Sequence, residues 1–424
     1  MIARLVGSEM CIRDRSFTLN ENGFGVIGFQ NADFYFNAKH WKLGMDKEVP
    51  IIVAKSIKDF TLSQLNLISN DSKISVAASQ EGEDSFALEL NLEQVALADI
   101  LSFEKNEWEG ILDGFLNIKQ SAEGFGGTSS LQFSNLKLNN IPLGNAFLTL
   151  QSQTQKSAYD IAFRVEEKGN EVISATGNIG IEKNIPVWDV DATFSDYNLS
   201  VIAGLTNEIF APFYGNANGN LKLSSKNGNI LSTGILNVDA LRMDVPYLNT
   251  TYSFNSTVPF VFNNDNISIQ SVSFQDDANH NGILDGVLKH HSFSNWGLDM
   301  QIDAENLAVL KTDFSENALY YGTAFFTGNA HMHGLFSNME IDVTGQTSQG
   351  TSLFIPIQYD TAIGDVSFIN FVKKDTEVST TTIASNTLKG LQLNFDLDVT
   401  TDAEVEIVVD PETKSFLRGI GSVS

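Results

Sequence analysis

The chain has 424 residues, and its 52 acidic residues against 26 Lys and Arg give a formal net charge of −26 at pH 7. So acidic a surface repels phosphate backbones and anionic lipid headgroups, because Lys and Arg drive their binding, and a nucleic-acid partner is therefore excluded. Hydrophobic residues make up 42% of the chain, enough for a folded protein, yet no apolar run reaches the ~20 residues that a transmembrane helix needs.

Residues 1–15 differ in composition from the rest of the chain. This segment, MIARLVGSEMCIRDR, contains Arg4, Arg13 and Arg15, three of the six arginines, together with Cys11, the only cysteine. It lacks the alternation and the Asn and Gly punctuation that begin directly after it, and it resembles translated adapter sequence. We therefore predict that residues 1–15 are non-native and that the chain is a fragment. Without Cys11, disulfides cannot brace the fold.

From residue 16 onward, apolar and polar residues alternate in segment after segment, separated by clusters of Gly, Asn, Asp and Ser. This alternation is typical of half-buried β-strands, because it places the apolar side chains of a segment on one face. It predicts an all-β fold of mostly antiparallel amphipathic strands with a few short helices, in which residues 16–85 form a first strand region. The clearest alternating sets are Phe86, Leu88, Leu90 and Leu92; Leu298, Met300 and Ile302; and Leu391, Leu393, Phe395, Leu397 and Val399.

Three short stretches have helical spacing and recur at similar distances. They read VALADI from Val95, LSVIAG from Leu199 and LAVLKT from Leu307, so their starts lie 104 and 108 residues apart. A period of about 105 residues predicts repeat units that stack on one another. Chance similarity between amphipathic strands is the alternative. The predicted units, each with one short helix, cover residues 86–187, 188–295 and 296–424.

The C-terminal third of the chain is similar in sequence to a known family. The similarity follows the order of three strings: FQDDANHNGILDGVLKHHSFSNWGLDMQIDAENLAVL from Phe274, ALYYGTAFFTGNAHMHGLFSNMEIDVTGQTSQGTSLFIPI from Ala318, and LKGLQLNFDLDVTTDAEVEIVVDPETKSFLRGIGS from Leu388. Together they resemble the start of the C-terminal domain of the TamB translocation and assembly module family, which is related to AsmA-like and bridge-like lipid-transfer proteins. Residues 16–273 resemble the family only in their general strand-like pattern.

The resemblance implies a long β-sheet folded lengthwise into a periplasmic trough, the β-taco or open β-solenoid. It implies a non-enzymatic role in outer-membrane biogenesis, in which an apolar trough conveys phospholipid acyl chains between the membranes or assists outer-membrane protein assembly and secretion. The implied partners are an outer-membrane barrel protein of the TamA or assembly-barrel type, phospholipid acyl chains, and the inner membrane through an N-terminal anchor outside this chain.

The alternating apolar sets are the candidate lipid-groove residues. Each methylene exposed to water costs about 0.8 kcal/mol, so a lipid with two ~16-carbon tails needs an apolar path through an aqueous space. Without the resemblance, the same residues favour a dry β-sandwich core. The candidate lining residues are Phe86, Leu88, Leu90, Leu92, Leu298, Met300, Ile302, Leu391, Leu393, Phe395, Leu397 and Val399.

One loop resembles the start of a calcium site. Asp277, Asn279, Asn281 and Gly282 follow the D-x-N-x-N-G pattern, in which oxygen ligands alternate. Leu288 occupies the position where a closing Glu is required. An Asn and Gly hairpin turn is therefore the better interpretation.

A pair of histidines is a second candidate for metal binding. His331 and His333 lie two residues apart, so on a strand both imidazoles face the same side, as a metal pair requires. The spacing specifies no third ligand, and histidines are common on exposed strands. The sequence therefore predicts no metal site and no cofactor.

The sequence shows no constellation of catalytic residues. It lacks a G-x-S-x-G elbow, a phosphate-binding G-x-x-x-x-G-K loop and an H-E-x-x-H motif. We therefore expect a protein that is not an enzyme. The alternatives are a secreted acidic β-solenoid adhesin and a polysaccharide-active enzyme with carboxylates clustered in a cleft.

Overall fold

The computed structural model describes residues 15–356 and 391–420, apart from the short stretches 30–32, 37–38, 45–51, 57, 83–84, 102–106, 122–123, 154–157, 183–184, 206–211, 227, 315–319, 402 and 411–414. The predicted non-native segment 1–15 therefore lies outside the described residues except for its last position.

The described residues form 28 strands and two short helices. The first strands are β1 (Arg15–Leu19), β2 (Gly25–Phe29), β3 (Asp33–Phe36), β4 (Lys39–Gly44), β5 (Ile52–Ser56), β6 (Asp59–Ser69), β7 (Ser72–Glu81) and β8 (Ser85–Ala96), followed by helix α1 (Leu97–Ile100). Next come β9 (Trp108–Ser121), β10 (Gly124–Gly126), β11 (Thr128–Leu138), β12 (Ile141–Ser152), β13 (Ala158–Glu167), β14 (Asn170–Glu182) and β15 (Ile185–Asn198), then helix α2 (Ser200–Leu205). The remaining strands are β16 (Phe213–Lys226), β17 (Asn229–Val245), β18 (Thr250–Ser253), β19 (Val258–Asn263), β20 (Asn266–Asp276), β21 (Asn281–His291), β22 (Ser294–Thr312), β23 (Tyr321–Leu335), β24 (Asn338–Thr347), β25 (Ser352–Pro356), β26 (Leu391–Asp398), β27 (Glu404–Asp410) and β28 (Ser415–Ile420).

This element content confirms the predicted all-β fold of mostly antiparallel strands with few helices. The alternation of apolar and polar residues explains this fold class, because such a sequence can bury one face of a sheet and expose the other to solvent. The trough shape stays a prediction.

The chain divides into two compact units, and the first comprises Met1–Phe210, Tyr214–Asp239 and Pro259–Asp265. Its strands β6 to β9 and β11 to β16 follow one another as an antiparallel meander, with β10 beside β9. A buried cluster lies where β8 meets α1, and its members are Leu92, Val95, Leu97 and Leu112. Helix α1 is only one turn long, so this packing, rather than its own hydrogen bonds, holds it.

The second unit comprises Ala211–Phe213, Ala240–Val258 and Asn266–Ser424. Strands β20 to β24 form an antiparallel meander. Strand β23 then pairs with β25 at its other end, and β26 and β27 run parallel to β24 and β25 respectively. Strand β28 is antiparallel to β27.

A β-bulge that is held by a side chain of the next strand recurs in the two units. In β8, β15 and β22, one residue takes a positive φ of 50–53°, and the ladder register shifts beside it. A side-chain oxygen of the next strand accepts a hydrogen bond from the backbone N–H of that residue, which the bulge removes from the ladder. The pairs are Gln94 with Asp113 (2.7 Å), Asp196 with Asn218 (2.8 Å) and Asn306 with Thr327 (2.8 Å).

The bulge residues 94, 196 and 306 lie 102 and 110 residues apart. The same kind of bulge also occurs at Asn135 and Ser271, so the bulges do not define a repeat period. The unit boundaries at 86–187, 188–295 and 296–424 stay a prediction.

The third predicted helix, LAVLKT from Leu307, is wrong: these residues are the end of β22. Two register shifts against β23 let Leu307, Ala308 and Leu310 all become buried, although they do not alternate. Both backbone polar groups of Ala308 form hydrogen bonds with side chains. Its N–H donates to Asp276 Oδ2 (2.9 Å), and its carbonyl accepts from Tyr252 Oη (2.9 Å). Tertiary hydrogen bonds therefore override the local spacing.

Candidate functional site

The second unit presents an apolar face built from β20 to β24 and β26. Residues paired across neighbouring strands lie on the same side of a sheet, so the ladder registers align the alternating apolar positions into rows. We call these rows the apolar face of the second unit. They are Ile267, Leu288, Leu298, Gly334, Met339 and Leu391; Ile269, Gly286, Met300, Met332, Ile341 and Leu393; Val272, Leu284, Ile302, Ala330, Val343 and Phe395; and Phe274, Gly282, Ala304, Gly328, Gly345 and Leu397.

The side chains of this face are more exposed to solvent in β26 than in β22. Met300 in β22 is 9% exposed, whereas Leu393 is 37% exposed and Phe395 is 61% exposed, both in β26. An exposed Phe in register with Val343 is apolar surface that the described residues leave open to solvent. The face is thus packed at its centre and accessible at β26.

The register brings two predicted sets together. Leu298, Met300 and Ile302 in β22 share rows with Leu391, Leu393 and Phe395 in β26, through β23 and β24. Val399 follows directly after β26 and is half-buried. The remaining predicted set, in β8, belongs to the first unit.

The first unit has an apolar face of the same kind. Phe86, Leu88, Leu90 and Leu92 lie on one side of β8, with Leu92 buried and the other three half-buried. Phe86 pairs with Gln80 and Gln120, so it marks the polar end of the run. One row of this face contains Leu67, Ile74, Leu92, Gly114, Leu131, Leu148, Phe163, Ala175, Ala192 and Leu221; its neighbour contains Leu65, Val76, Leu90, Leu116, Ser129, Leu150, Ile161, Gly177, Val190 and Leu223.

Sequence reasoning missed the residues that join β22 to β26. These are Ala330 and Met332 in β23, and Ile341 and Val343 in β24. The alternation in β24, where Met339, Ile341 and Val343 are separated by acidic residues, was a usable signal. In β23 the signal is weak, because glycines occupy two of the row positions.

Glycine at position 286 has a packing reason. Its φ is +154°, and a Cβ there would lie 2.4 Å from the Asp299 carbonyl oxygen and 2.8 Å from Met300 Cγ. The missing side chain lets Met300 lie across β21. Close approach, rather than a turn, explains this glycine.

The opposite side of β21 to β24 is mostly polar and carries hydrogen bonds between side chains of neighbouring strands. Asp299 Oδ2 accepts from Lys289 Nζ at 2.9 Å, and Asp299 Oδ1 lies 2.9 Å from His331 Nε2. His333 Nε2 lies 3.0 Å from Asp342 Oδ2. Hydrogen bonds from His331 and Lys289 lower the pKa of Asp299 to about 2. We call His331, His333, Asp342 and Asp299 the histidine–aspartate cluster.

The predicted Asn and Gly hairpin is confirmed between β20 and β21, and Asp276 holds it. The Asp276 side chain is 1% exposed. Its Oδ1 accepts from the N–H of Ala278 (2.8 Å) and of His280 (2.9 Å), while its Oδ2 lies 2.9 Å from His280 Nδ1 and accepts from the N–H of Ala308. One carboxylate thus fixes the turn and joins it to β22.

This arrangement makes stability depend on pH. Burial opposes the charged form of Asp276, but the hydrogen bonds from Ala308, His280 and Ala278 lower its pKa below the ordinary 3.8. A lowered pKa means that the stabilisation is present above that ordinary value and is lost as the pH falls through the lower folded value. We expect the free energy of unfolding to fall below pH 4, and to fall less in Asp276→Asn. Urea unfolding at pH 7, 4 and 3 measures this; parallel pH profiles for the two proteins would contradict it.

Among the described residues, neither helix has the length and apolar content that a membrane-spanning helix needs.

Comparison with known proteins gives one match. Residues 270–422 match the family model described as the TamB C-terminal domain. This range contains β21 to β28, most of β20, the histidine–aspartate cluster, and the apolar face except for Ile267 and Ile269. No curated protein and no solved structure matches the chain significantly. The match agrees with the resemblance read from the sequence and supports a role in outer-membrane assembly. Residues 270–422 are therefore similar to the TamB C-terminal domain over its whole matched range, and the TamB assignment applies to this part of the chain.

Proposed function

We propose that the chain is a non-enzymatic TamB-like protein of outer-membrane biogenesis whose apolar faces hold phospholipid acyl chains in transit between the membranes. The observation that supports this proposal is the alignment of apolar residues across neighbouring strands in each unit. In the second unit, apolar residues and glycines follow one another from β20 to β24 and β26 on one side, while the other side is mostly polar.

Acyl chains are costly to expose to water. Each methylene that leaves water contributes about 0.8 kcal/mol, so two ~16-carbon chains need more than about 20 kcal/mol of compensating contact. A row that crosses successive strands advances about 4.8 Å per strand, so that several strands are needed to cover one acyl chain. Rows of this length are present in both units.

The exposure pattern favours ligand contact over a sealed core. A dry sandwich core buries its alternating side chains. Here Leu393 and Phe395 are 37% and 61% exposed, and Ile161 and Phe163 in the first unit are half-buried. Apolar side chains that stay open to solvent suit a surface that is covered only when acyl chains are present.

The proposal includes the location and partners. The protein works in the periplasm with an outer-membrane barrel protein of the TamA type, and an N-terminal segment outside this chain anchors it in the inner membrane. The match of residues 270–422 to the TamB C-terminal domain supports an envelope location.

The experiment is to purify the chain without detergent from a diderm bacterium and to quantify the bound phospholipid by mass spectrometry. We expect phospholipid to co-purify with the natural chain and to drop at least fivefold in Leu393→Asp. The matched control is Gln392→Glu, which adds a carboxylate to the polar side of the same strand. Absence of phospholipid from the unsubstituted chain, or equal loading of both variants, would refute the proposal.

A further inference from the structure

The histidine–aspartate cluster has the geometry of a metal site. His331 and His333 project from the same side of β23, and their rings lie 4.7 Å apart between centroids. Asp342 is the register partner of His331 on β24. The candidate ligand atoms of His331, His333 and Asp342 all lie within 4.8 Å of one another. Three donors from two paired strands therefore converge on one point.

The sequence around His331 and His333 offers no third ligand at a suitable spacing on the same strand. The fold supplies that ligand from the next strand, because residues 331 and 342 are opposite one another across the β23–β24 ladder. Such a carboxylate cannot be seen in a search for spaced histidines along one strand.

The donor set selects a class of metal. Two imidazole nitrogens and one carboxylate oxygen suit zinc and its neighbours, with ligand bonds of about 2.0–2.2 Å and a fourth position open to water. Around a tetrahedral ion, ligand atoms lie about 3.3 Å apart. His333 Nε2 and Asp342 Oδ2 are already 3.0 Å apart. Calcium and magnesium prefer six or more oxygen ligands, which this cluster does not offer.

The surrounding residues hold the ligands in place. Asn394 Nδ2 donates to Asp342 Oδ1 at 2.8 Å, which leaves Oδ2 directed at His333. Asp299 Oδ1 lies 2.9 Å from His331 Nε2 and is itself bound by Lys289. Partners of this kind orient the ligands of metal sites. The side chains of His331 and His333 are each 34% exposed, so that an ion can enter from solvent.

We propose that His331, His333 and Asp342 bind one divalent transition-metal ion of the zinc class, with Asp299 beside it. The site lies on the polar side of the sheet, away from the apolar face, so it is independent of acyl-chain binding. A bound ion links β23 to β24. Because the net charge is −26, the protein also attracts cations to its surface.

The test uses the purified chain after EDTA treatment and dialysis. Zinc chloride is titrated by calorimetry, and cobalt(II) chloride is titrated by visible absorbance, since tetrahedral cobalt absorbs far more strongly than octahedral cobalt. We expect one equivalent of zinc at micromolar affinity or tighter, a strong cobalt spectrum, and little response to magnesium. We expect His331→Ala and His333→Gln each to weaken zinc binding at least tenfold.

Two variants serve as controls. Asp303→Asn removes a carboxylate from the same side of β22, and His291→Asn removes an exposed histidine outside the cluster; neither is expected to change the affinity more than twofold. His333→Gln retains a polar partner for Asp342 and so tests ligation if His331→Ala fails to fold. Failure of the natural chain to bind zinc stoichiometrically, or equal affinity in the cluster variants and the controls, would overturn the proposal.

Discussion

Replacement of Asp276 by Ala is expected to lower the free energy of unfolding by about 3–5 kcal/mol. The carboxylate is 1% exposed and interacts with three backbone N–H groups and the His280 ring. Its removal leaves the buried N–H of Ala308 without its acceptor and frees the β20–β21 turn, and each unsatisfied group costs about 1–3 kcal/mol. Urea denaturation followed by tryptophan fluorescence measures the loss.

Asp277→Ala is the matched control for this prediction. Asp277 is the adjacent residue in the same turn and is exposed. A surface substitution of this kind changes stability by less than about 0.5 kcal/mol. If the two variants unfold at the same urea concentration, the account of Asp276 as the residue that joins the hairpin to β22 is wrong.

Replacement of Phe395 by Asp is expected to abolish function while leaving the fold almost unchanged. Phe395 is 61% exposed, so its loss should cost less than about 1 kcal/mol of stability. On the proposed function, a carboxylate at this position contacts acyl chains, and its desolvation there costs several kcal/mol. We therefore expect at least a tenfold loss of outer-membrane integrity in a complementation assay of the full-length protein.

The control for Phe395→Asp is Gln392→Glu, which places a new carboxylate on the polar side of β26. It should complement normally. Equal loss of function in the two variants would show that added charge, rather than the apolar face, is responsible. Unfolding of Phe395→Asp would favour a sealed core.

The sequence predicted the strands and their faces well where alternation is strict. Phe86 to Leu92, Leu298 to Ile302 and Leu391 to Leu397 all lie in strands, each with its apolar positions on one side. Period-2 alternation carries this information locally, so one sequence is sufficient.

The prediction of the third helix was wrong because contacts with distant residues determine the conformation of this segment. In LAVLKT, two bulges against β23 and hydrogen bonds from Asp276 and Tyr252 fix a strand. Asp276 lies 32 residues before Ala308, and Tyr252 lies 56 residues before it. Local spacing contains no trace of either contact.

Only part of the candidate metal site could be predicted from the sequence, because the rest depends on contacts between strands. His331 and His333 could be found by their spacing, but the third ligand, Asp342, comes from the neighbouring strand, and its position depends on the register. The parallel pairing of β24 with β26 could not be predicted either, because residues 348–390, which include β25, separate the two strands along the chain.

The most direct test of acyl-chain contact is site-specific photo-crosslinking in the full-length protein. A photoreactive residue is placed at Phe395 and, in a second protein, at Asp396, which is adjacent in β26 but on the other side of the sheet. After irradiation in living cells, adducts are identified by mass spectrometry. We predict phospholipid adducts at position 395 and none at position 396. Equal lipid labelling at both positions, or adducts at 395 that consist only of protein, would contradict the account.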